Sequence, residues 1–210
     1  MELIHKYFPN LESHQYAQFE QLRALYGEWN EKINVISRKD IDNLYLHHVL
    51  HSLVIAKFIE FKDDTKVIDL GTGGGFPAVP LAILFPNVKL TAIDGTRKKI
   101  TVVNEVKAAV KIENLTAFQA RAEEHRGSTY EFVVTRAVAR IGKLKEWTTH
   151  LIDPENQRHA LPNGIIALKG GRVKDETTEL SKRDYYETHP IIKLINEPYF
   201  EEKYILYLQR

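Results

Sequence analysis

Residues 10–33 carry Phe19, Leu22, Tyr26 and Trp29 at helical spacing, which predicts a helix with one apolar face. A second helical pattern runs over about 41–61, so two or three helices precede residue 63. Beyond that point the periodicity changes. Short β-prone runs at 66–70, 89–94, 115–120, 130–135 and 164–169 alternate with helical stretches, such as 97–112, where Ile100, Val103, Val106 and Val110 share one face. Such alternation predicts a doubly wound α/β fold, a parallel sheet covered by helices on both faces. The runs HPIIKLINEP (189–198) and EKYILYLQR (202–210) leave no room between them for a crossover helix and are expected to pair antiparallel at a sheet edge. The chain divides on this reading into a helical N-terminal extension, 1–62, and a strand-rich domain, 63–210.

The first strand runs into VIDLGTGGGFP (67–77), with Gly71, Gly73, Gly74 and Gly75 packed into five positions. A strand, a glycine turn and a helix, with Asp94 closing the next strand 19 positions after Gly75, describe a nucleoside site in which the acid accepts ribose hydroxyls. The dinucleotide fingerprint needs a small residue at the sixth position from Gly71, and Phe76 stands there. The pattern is instead G-x-G-x-G headed by Asp69. S-adenosylmethionine has an ammonium, a sulfonium and a carboxylate but no pyrophosphate, so it wants bare backbone and nearby acids rather than a phosphate nest. The turn favours that cofactor.

In a doubly wound sheet, ligands sit beyond the carboxyl ends of the strands, where strand order reverses. Arg121, Ala122 and Glu123 follow the third strand and can frame an adenine; Thr135 to Val138 follow the fourth, beside the transferred methyl. The segment TRAV (135–138) lacks the short proline-aromatic motif with which amino-group methyltransferases hold an exocyclic amine. The chain also has no cysteine, which excludes thiolate nucleophiles, disulfides and thiolate zinc sites together. The remaining acceptors are an atom with a free lone pair, or an oxygen deprotonated by a base. With 29 Lys and Arg against 28 Asp and Glu, the net charge of +1 announces no polyanionic partner, and RNA binding would need a local patch. The start MELIHKYFPN has neither an apolar signal core nor a transit-peptide pattern, and no apolar run reaches spanning length, so a cytoplasmic protein without membrane contact is expected.

The segments VIDLGTGGGFPAVPLAILFP, AIDGTRKKITVVNEV, RAEE, VVTRAVA and IALKGG, in this order and spacing, resemble the RsmG family, also called GidB. EWNEKINVIS and LHHVLHSL, upstream, are similar to that family's helical N-terminal segment, so the resemblance covers nearly the whole chain. It implies a seven-stranded S-adenosylmethionine-dependent methyltransferase fold that methylates a guanine of bacterial small-subunit ribosomal RNA on its seven-position nitrogen. It further implies a methionine and ribose site at Gly71, Gly73, Gly75, Phe76 and Asp94, adenine contacts at Ala122 and Glu123, and a cofactor or substrate role for Arg136. One position departs from the family pattern H-x-x-D-S, where His51 replaces the aspartate.

His47 and His51 lie one helical turn apart, yet no carboxylate or further histidine stands at a recognised metal spacing, so no metal is expected and the helix is read as facing the substrate cleft. Asn34 is either a helix-end cap or a residue reaching the cleft. Lys169, Arg172 and Lys174, with Arg97, Lys98 and Lys99, form either basic rims that meet RNA or solvated charge runs. Trp29 and Trp147 are read as packing anchors. The expected chemistry is direct in-line transfer to the ring nitrogen, with Arg136 orienting the reactants and Lys169 as the second catalytic candidate. The expected partner is small-subunit ribosomal RNA, naked or in a particle, met by a monomer. A small-molecule methyltransferase and a non-catalytic RNA-binding assembly factor are the competing readings.

Overall fold

The computed structural model describes all 210 residues apart from the side chains of Arg38 and Lys39. Two N-terminal helices come first, α1 (Glu2–Tyr7) and α2 (Ser13–Lys32). The Glu12 N–H donates to Gln15 Oε1 at 2.9 Å, closing one arm of a capping box, and the Gln15 amide donates to the Ile83 carbonyl at 2.7 Å. Helix α2 is thereby pinned end-on to the rest of the molecule while Phe19, Leu22 and Tyr26 are buried along its face.

The single helix expected over 41–61 is broken. A π-helical stretch, Leu44–Leu50, passes into the short turns α3 (His51–Leu53) and α4 (Ile55–Phe58). The widened stretch is where His47 and His48 both turn their imidazoles to Asp40, an irregularity of the kind that clusters at functional sites.

Seven strands follow: β1 (Lys66–Leu70), β2 (Lys89–Asp94), β3 (Leu115–Gln119), β4 (Phe132–Arg136), β5 (Gly164–Gly170), β6 (Tyr186–Pro190) and β7 (Lys203–Gln209). They form one sheet in the order β3-β2-β1-β4-β5-β7-β6. The first five are parallel; β7 is antiparallel to both β5 and β6. Helices α5 (Ala78–Leu84), α6 (Arg97–Ala109), α7 (Ile141–Thr148) and α8 (Val173–Thr177) flank it. Strand order reverses between β1 and β4, which places the switch point beside the glycine turn.

Alternation along the strands builds two cores. Val67, Phe132, Val134, Ile166, Leu168 and Tyr207 join Phe19, Leu22 and Tyr26 of α2 and Val103 and Val106 of α6 on one face. Ile68, Leu70, Val133, Ile165, Ala167 and Leu206 meet Ile141 and Leu144 of α7 on the other. Each such buried Val, Leu, Ile or Phe side chain contributes about 1.5–3 kcal/mol. The N-terminal helices share the first core with the sheet, so the two parts of the chain are one packed body.

Two expectations need correction. The strand read into 189–198 lies earlier, at Tyr186–Pro190, and Ile191–Lys193 is a 3-10 turn. Ile191 and Ile195 are both buried and four apart, a helical rather than alternating spacing, and the Ile195 N–H donates to the Ile191 carbonyl at 2.9 Å. The crossover from β3 to β4 holds no helix, only turns, because RAEEHRGST (121–129) carries no apolar stripe to bury.

Candidate active site

The turn after β1 is built from positive-φ glycines, Gly71 (66°), Gly73 (59°) and Gly75 (104°). It is fixed to β2 by the Thr72 N–H, which donates to the Ile93 carbonyl at 3.0 Å, and closed by Gly75 and Phe76, which donate to the Thr72 carbonyl at 2.9 Å. Asp94, at the end of β2, accepts the Gly73 N–H on Oδ2 at 3.0 Å and the Thr96 N–H on Oδ1 at 2.8 Å. A Cβ built on Gly73 meets nothing within 4 Å, so this part of the turn presents bare backbone to open space. At Gly71 the protein itself fills the room, with Val138 Cγ2 2.5 Å from where a Cβ would stand.

Below the turn, Asp69 is fully buried. Its Oδ2 accepts the Ala78 N–H at 2.9 Å, while Oδ1 and the Thr72 hydroxyl have no satisfactory hydrogen-bond geometry. Burial pushes the Asp69 carboxyl up to about 7, against the opposing pull of the Thr72 hydroxyl and the Ala78 N–H.

A cleft of about 360 Å³ opens at the carboxyl ends of β1, β2 and β3, lined by Gly71, Asp94, Ala122, Glu123, Val138 and Trp147 among others. It brings together four of the residues expected at a cofactor site, and Trp147, packed against the second core as expected, also borders it. Gly73, Gly75, Phe76 and Arg136, also expected at the cofactor site, do not line it. The Phe76 ring is buried 4.8 Å from Tyr26 and 5.2 Å from His48, and the Arg136 guanidinium sits over it at 5.3 Å. Arg136 donates from Nη1 to the His47 carbonyl and from Nη2 to His48 Nδ1, both at 3.0 Å.

The family model described as GidB, rRNA small subunit methyltransferase G, matches residues 15–194. The chain belongs to this family. A protein of Porphyromonas gingivalis called ribosomal RNA small subunit methyltransferase G is 49% identical over 207 residues, covering 99% of this chain and 92% of the relative. One of the same name from Bacteroides thetaiotaomicron is 49% identical over 209 residues, covering 100% of both. Among solved structures, a SAM-dependent methyltransferase from Aquifex aeolicus superposes with a TM-score of 0.59 at 14% identity over 79% of this chain and 92% of that one. A variant of MtNAS in complex with S-adenosylmethionine gives 0.59 at 10% identity over 93% and 76%. The seven-stranded sheet of this GidB-family chain is therefore the S-adenosylmethionine-dependent methyltransferase fold.

Lys169 does not join the basic rim. Its side chain is 5% exposed and its ammonium donates to Glu176 Oε2 at 2.7 Å and to the Ala139 carbonyl. The same Glu176 oxygen accepts the Ile141 N–H at 3.0 Å, so Lys169 and Glu176 clasp the start of α7 to α8. Arg97, Lys98, Arg172 and Lys174 are exposed, and Arg121 is exposed at the lip of the cleft.

Asn34 is exposed, and the residue that shapes its loop is Asn30. The Asn30 side chain accepts the Val35 and Ile36 N–H groups at 2.9 Å each and donates to the Ile36 carbonyl at 2.8 Å. A polar residue four positions beyond Tyr26 on an apolar stripe was the available signal. Tyr26 itself donates to the Gly74 carbonyl at 2.7 Å, a role its helical spacing does not announce. Of the three histidines, His47 and His48 bind Asp40, and His51 is buried with Nε2 unpartnered against Phe200. Among the described residues no group of three His, Cys, Asp or Glu side chains is placed to hold a metal ion.

Proposed function

We propose that this chain methylates the seven-position nitrogen of a guanine in small-subunit ribosomal RNA, using S-adenosylmethionine. The observation that carries the reading is Asp94 holding the Gly73 N–H at the edge of the cleft, with open space over Gly73 where a ligand fits. Bound S-adenosylmethionine supplies an electrophilic methyl group on a sulfonium.

The chain's own residues do the holding. Each Asp94 oxygen accepts one amide and keeps a lone pair for a ribose hydroxyl. Ala122 and Glu123 border the cleft for the adenine, and Gly73, open above, offers backbone to the methionine portion in a turn shaped by Gly71 and Gly75. Arg136, its guanidinium over the Phe76 ring, orients the guanine. The ring nitrogen carries a free lone pair at neutral pH, so no side chain has to accept a proton, which suits a site where Lys169 is engaged by Glu176. Arg121 and the exposed Arg97 and Lys98 are the cations for the RNA backbone. The protein acts as a monomer on RNA that is naked, partly assembled or in the subunit.

The test is transfer from labelled methyl donor to small-subunit RNA and particles, followed by digestion to nucleosides. Recovery of 7-methylguanosine supports the reading; label in any other nucleoside, or in none, ends it.

A further inference from the structure

Arg136 is a half-buried cation without a carboxylate directly on it. Its two protein acceptors are neutral, the His47 carbonyl and His48 Nδ1, and Asp40 lies on the far side of His48. A guanidinium only donates, so His48 Nδ1 must be the bare, accepting nitrogen and its hydrogen must sit on Nε2. That hydrogen is donated to Asp40 Oδ2 at 2.7 Å. The second Asp40 oxygen accepts from His47 Nδ1, and the His47 ring is stacked on Tyr199 at 3.9 Å and 14°. One carboxylate therefore fixes two consecutive imidazoles, and one guanidinium grips the backbone of the first and the ring of the second.

We propose that Asp40 and His48 are positioning residues for Arg136. This rests on the reading of Arg136 given above. A carboxylate placed directly on the guanidinium would hold it more tightly but would cancel its charge beside the glycine turn. A neutral imidazole in between fixes orientation and leaves the charge in place, as second partners of a functional group commonly do. The two hydrogen bonds use two of the five N–H groups, and the others have no acceptor among the described residues. They are what a guanine carbonyl oxygen would meet. The groups facing His48 are Asp40, His47, His51 and Arg136. Burial and then the Arg136 charge push His48 down to about 4 against the pull of Asp40, so the accepting nitrogen stays bare at working pH. The burial that would raise Asp40 is outweighed by its bonds to His47 and His48, which keep it a carboxylate.

The test has two arms. The first measures single-turnover methyl transfer at saturating cofactor and RNA in His48→Ala, His48→Gln, Arg136→Ala and the double variant His48→Ala/Arg136→Ala. If His48 acts through Arg136, His48→Ala slows transfer about tenfold or more while the cofactor dissociation constant moves less than about twofold. Glutamine offers both an acceptor and a donor and should recover most of the rate, and the double variant should be no slower than Arg136→Ala alone. Multiplying effects in the double variant, or a Gln variant no better than Ala, overturn the proposal. Parental turnover by Arg136→Ala overturns it together with the orientation role.

The second arm needs no activity, so it stands even if RNA is the wrong substrate. Nitrogen NMR on the intact protein should find His48 as the Nε2–H tautomer from pH 8 down to about 5, with Arg136→Ala raising its titration midpoint. A parental His48 that titrates near 6.5, or that carries its hydrogen on Nδ1, overturns the clamp.

Discussion

The Tyr26 hydroxyl donates to the Gly74 carbonyl at 2.7 Å, joining the long N-terminal helix to the turn that follows β1. The contact is close on both sides of that bond. A Cβ on Gly75 would stand 3.0 Å from the same hydroxyl and 2.7 Å from Val79 Cγ2, at a φ of 104° that side chains rarely adopt. The turn is thus shaped from behind by the helical extension as well as from in front by the cleft.

Tyr26→Phe keeps the ring among Phe76 and the core but leaves the Gly74 carbonyl without its donor. Stability should fall by about 1–1.5 kcal/mol, and the loosened turn should bind S-adenosylmethionine more weakly. Thermal melts and calorimetry on the two proteins measure both. An unchanged melting temperature with unchanged affinity would show that the hydroxyl is idle.

Asp94→Ala removes the acceptor for the Gly73 and Thr96 amides together with the acid offered to the ribose. Cofactor binding should weaken by about 1.5–3 kcal/mol. NAD, which needs a phosphate nest the turn lacks, should not bind the parent. Calorimetric titration with both ligands decides it; NAD binding as tight as the methyl donor would sink the assignment.

Asp69 gives a pH dependence with a definite sign. Its folded pKa of about 7 lies above the unfolded value of about 3.9, so the folded state holds a proton that the unfolded state releases in this window. The stabilisation linked to that proton is full at low pH and is lost as pH rises through about 7. Asp69→Asn has no such loss and should gain on the parent by about 2–3 kcal/mol between pH 5 and 8, at about 1.4 kcal/mol per pH unit below 7. Paired denaturant titrations without ligand follow the difference, and a pH-independent gap would mean the acid is ionised in the folded state.

Lys169→Met separates the clasp from the chemistry. Loss of the ammonium leaves Glu176 without its cation near the start of α7, which should cost about 2 kcal/mol or more. At a temperature where the variant is folded, single-turnover transfer should stay within about threefold of the parent. A hundredfold slower rate with an unchanged melting temperature would instead make Lys169 a base.

Legibility followed how much of a residue's role lies in its own neighbourhood of sequence. The buried strands β1 and β2 stand out because both faces are covered, so their apolar runs end where the glycines and Asp94 begin. Gly71, Asp94, Ala122 and Glu123 meet in one cleft because each follows a parallel strand, a placement that topology dictates. The errors lie where contacts are distant. Ile191 and Ile195 look strand-like until their common burial on a turn is seen. Lys169 reads as surface charge because Glu176, which pairs with it, is on a different element. Asp40 has no pattern that ties it to His48, and Arg136, 88 residues beyond that histidine, completes the cluster only in three dimensions.

The position of β7 between β5 and β6 bears on how the chain survives its own synthesis. Of these seven strands β7 is made last, yet it covers one whole edge of β5, from Gly164 against Gln209 to Gly170 against Lys203. Until residues 203–209 emerge, the nascent sheet ends in Ile165, Ile166, Ala167 and Leu168 with every backbone group on that side unpaired. An apolar open edge of this kind recruits other strands, so a chain stalled or clipped before β7 is the aggregation-prone form of this protein.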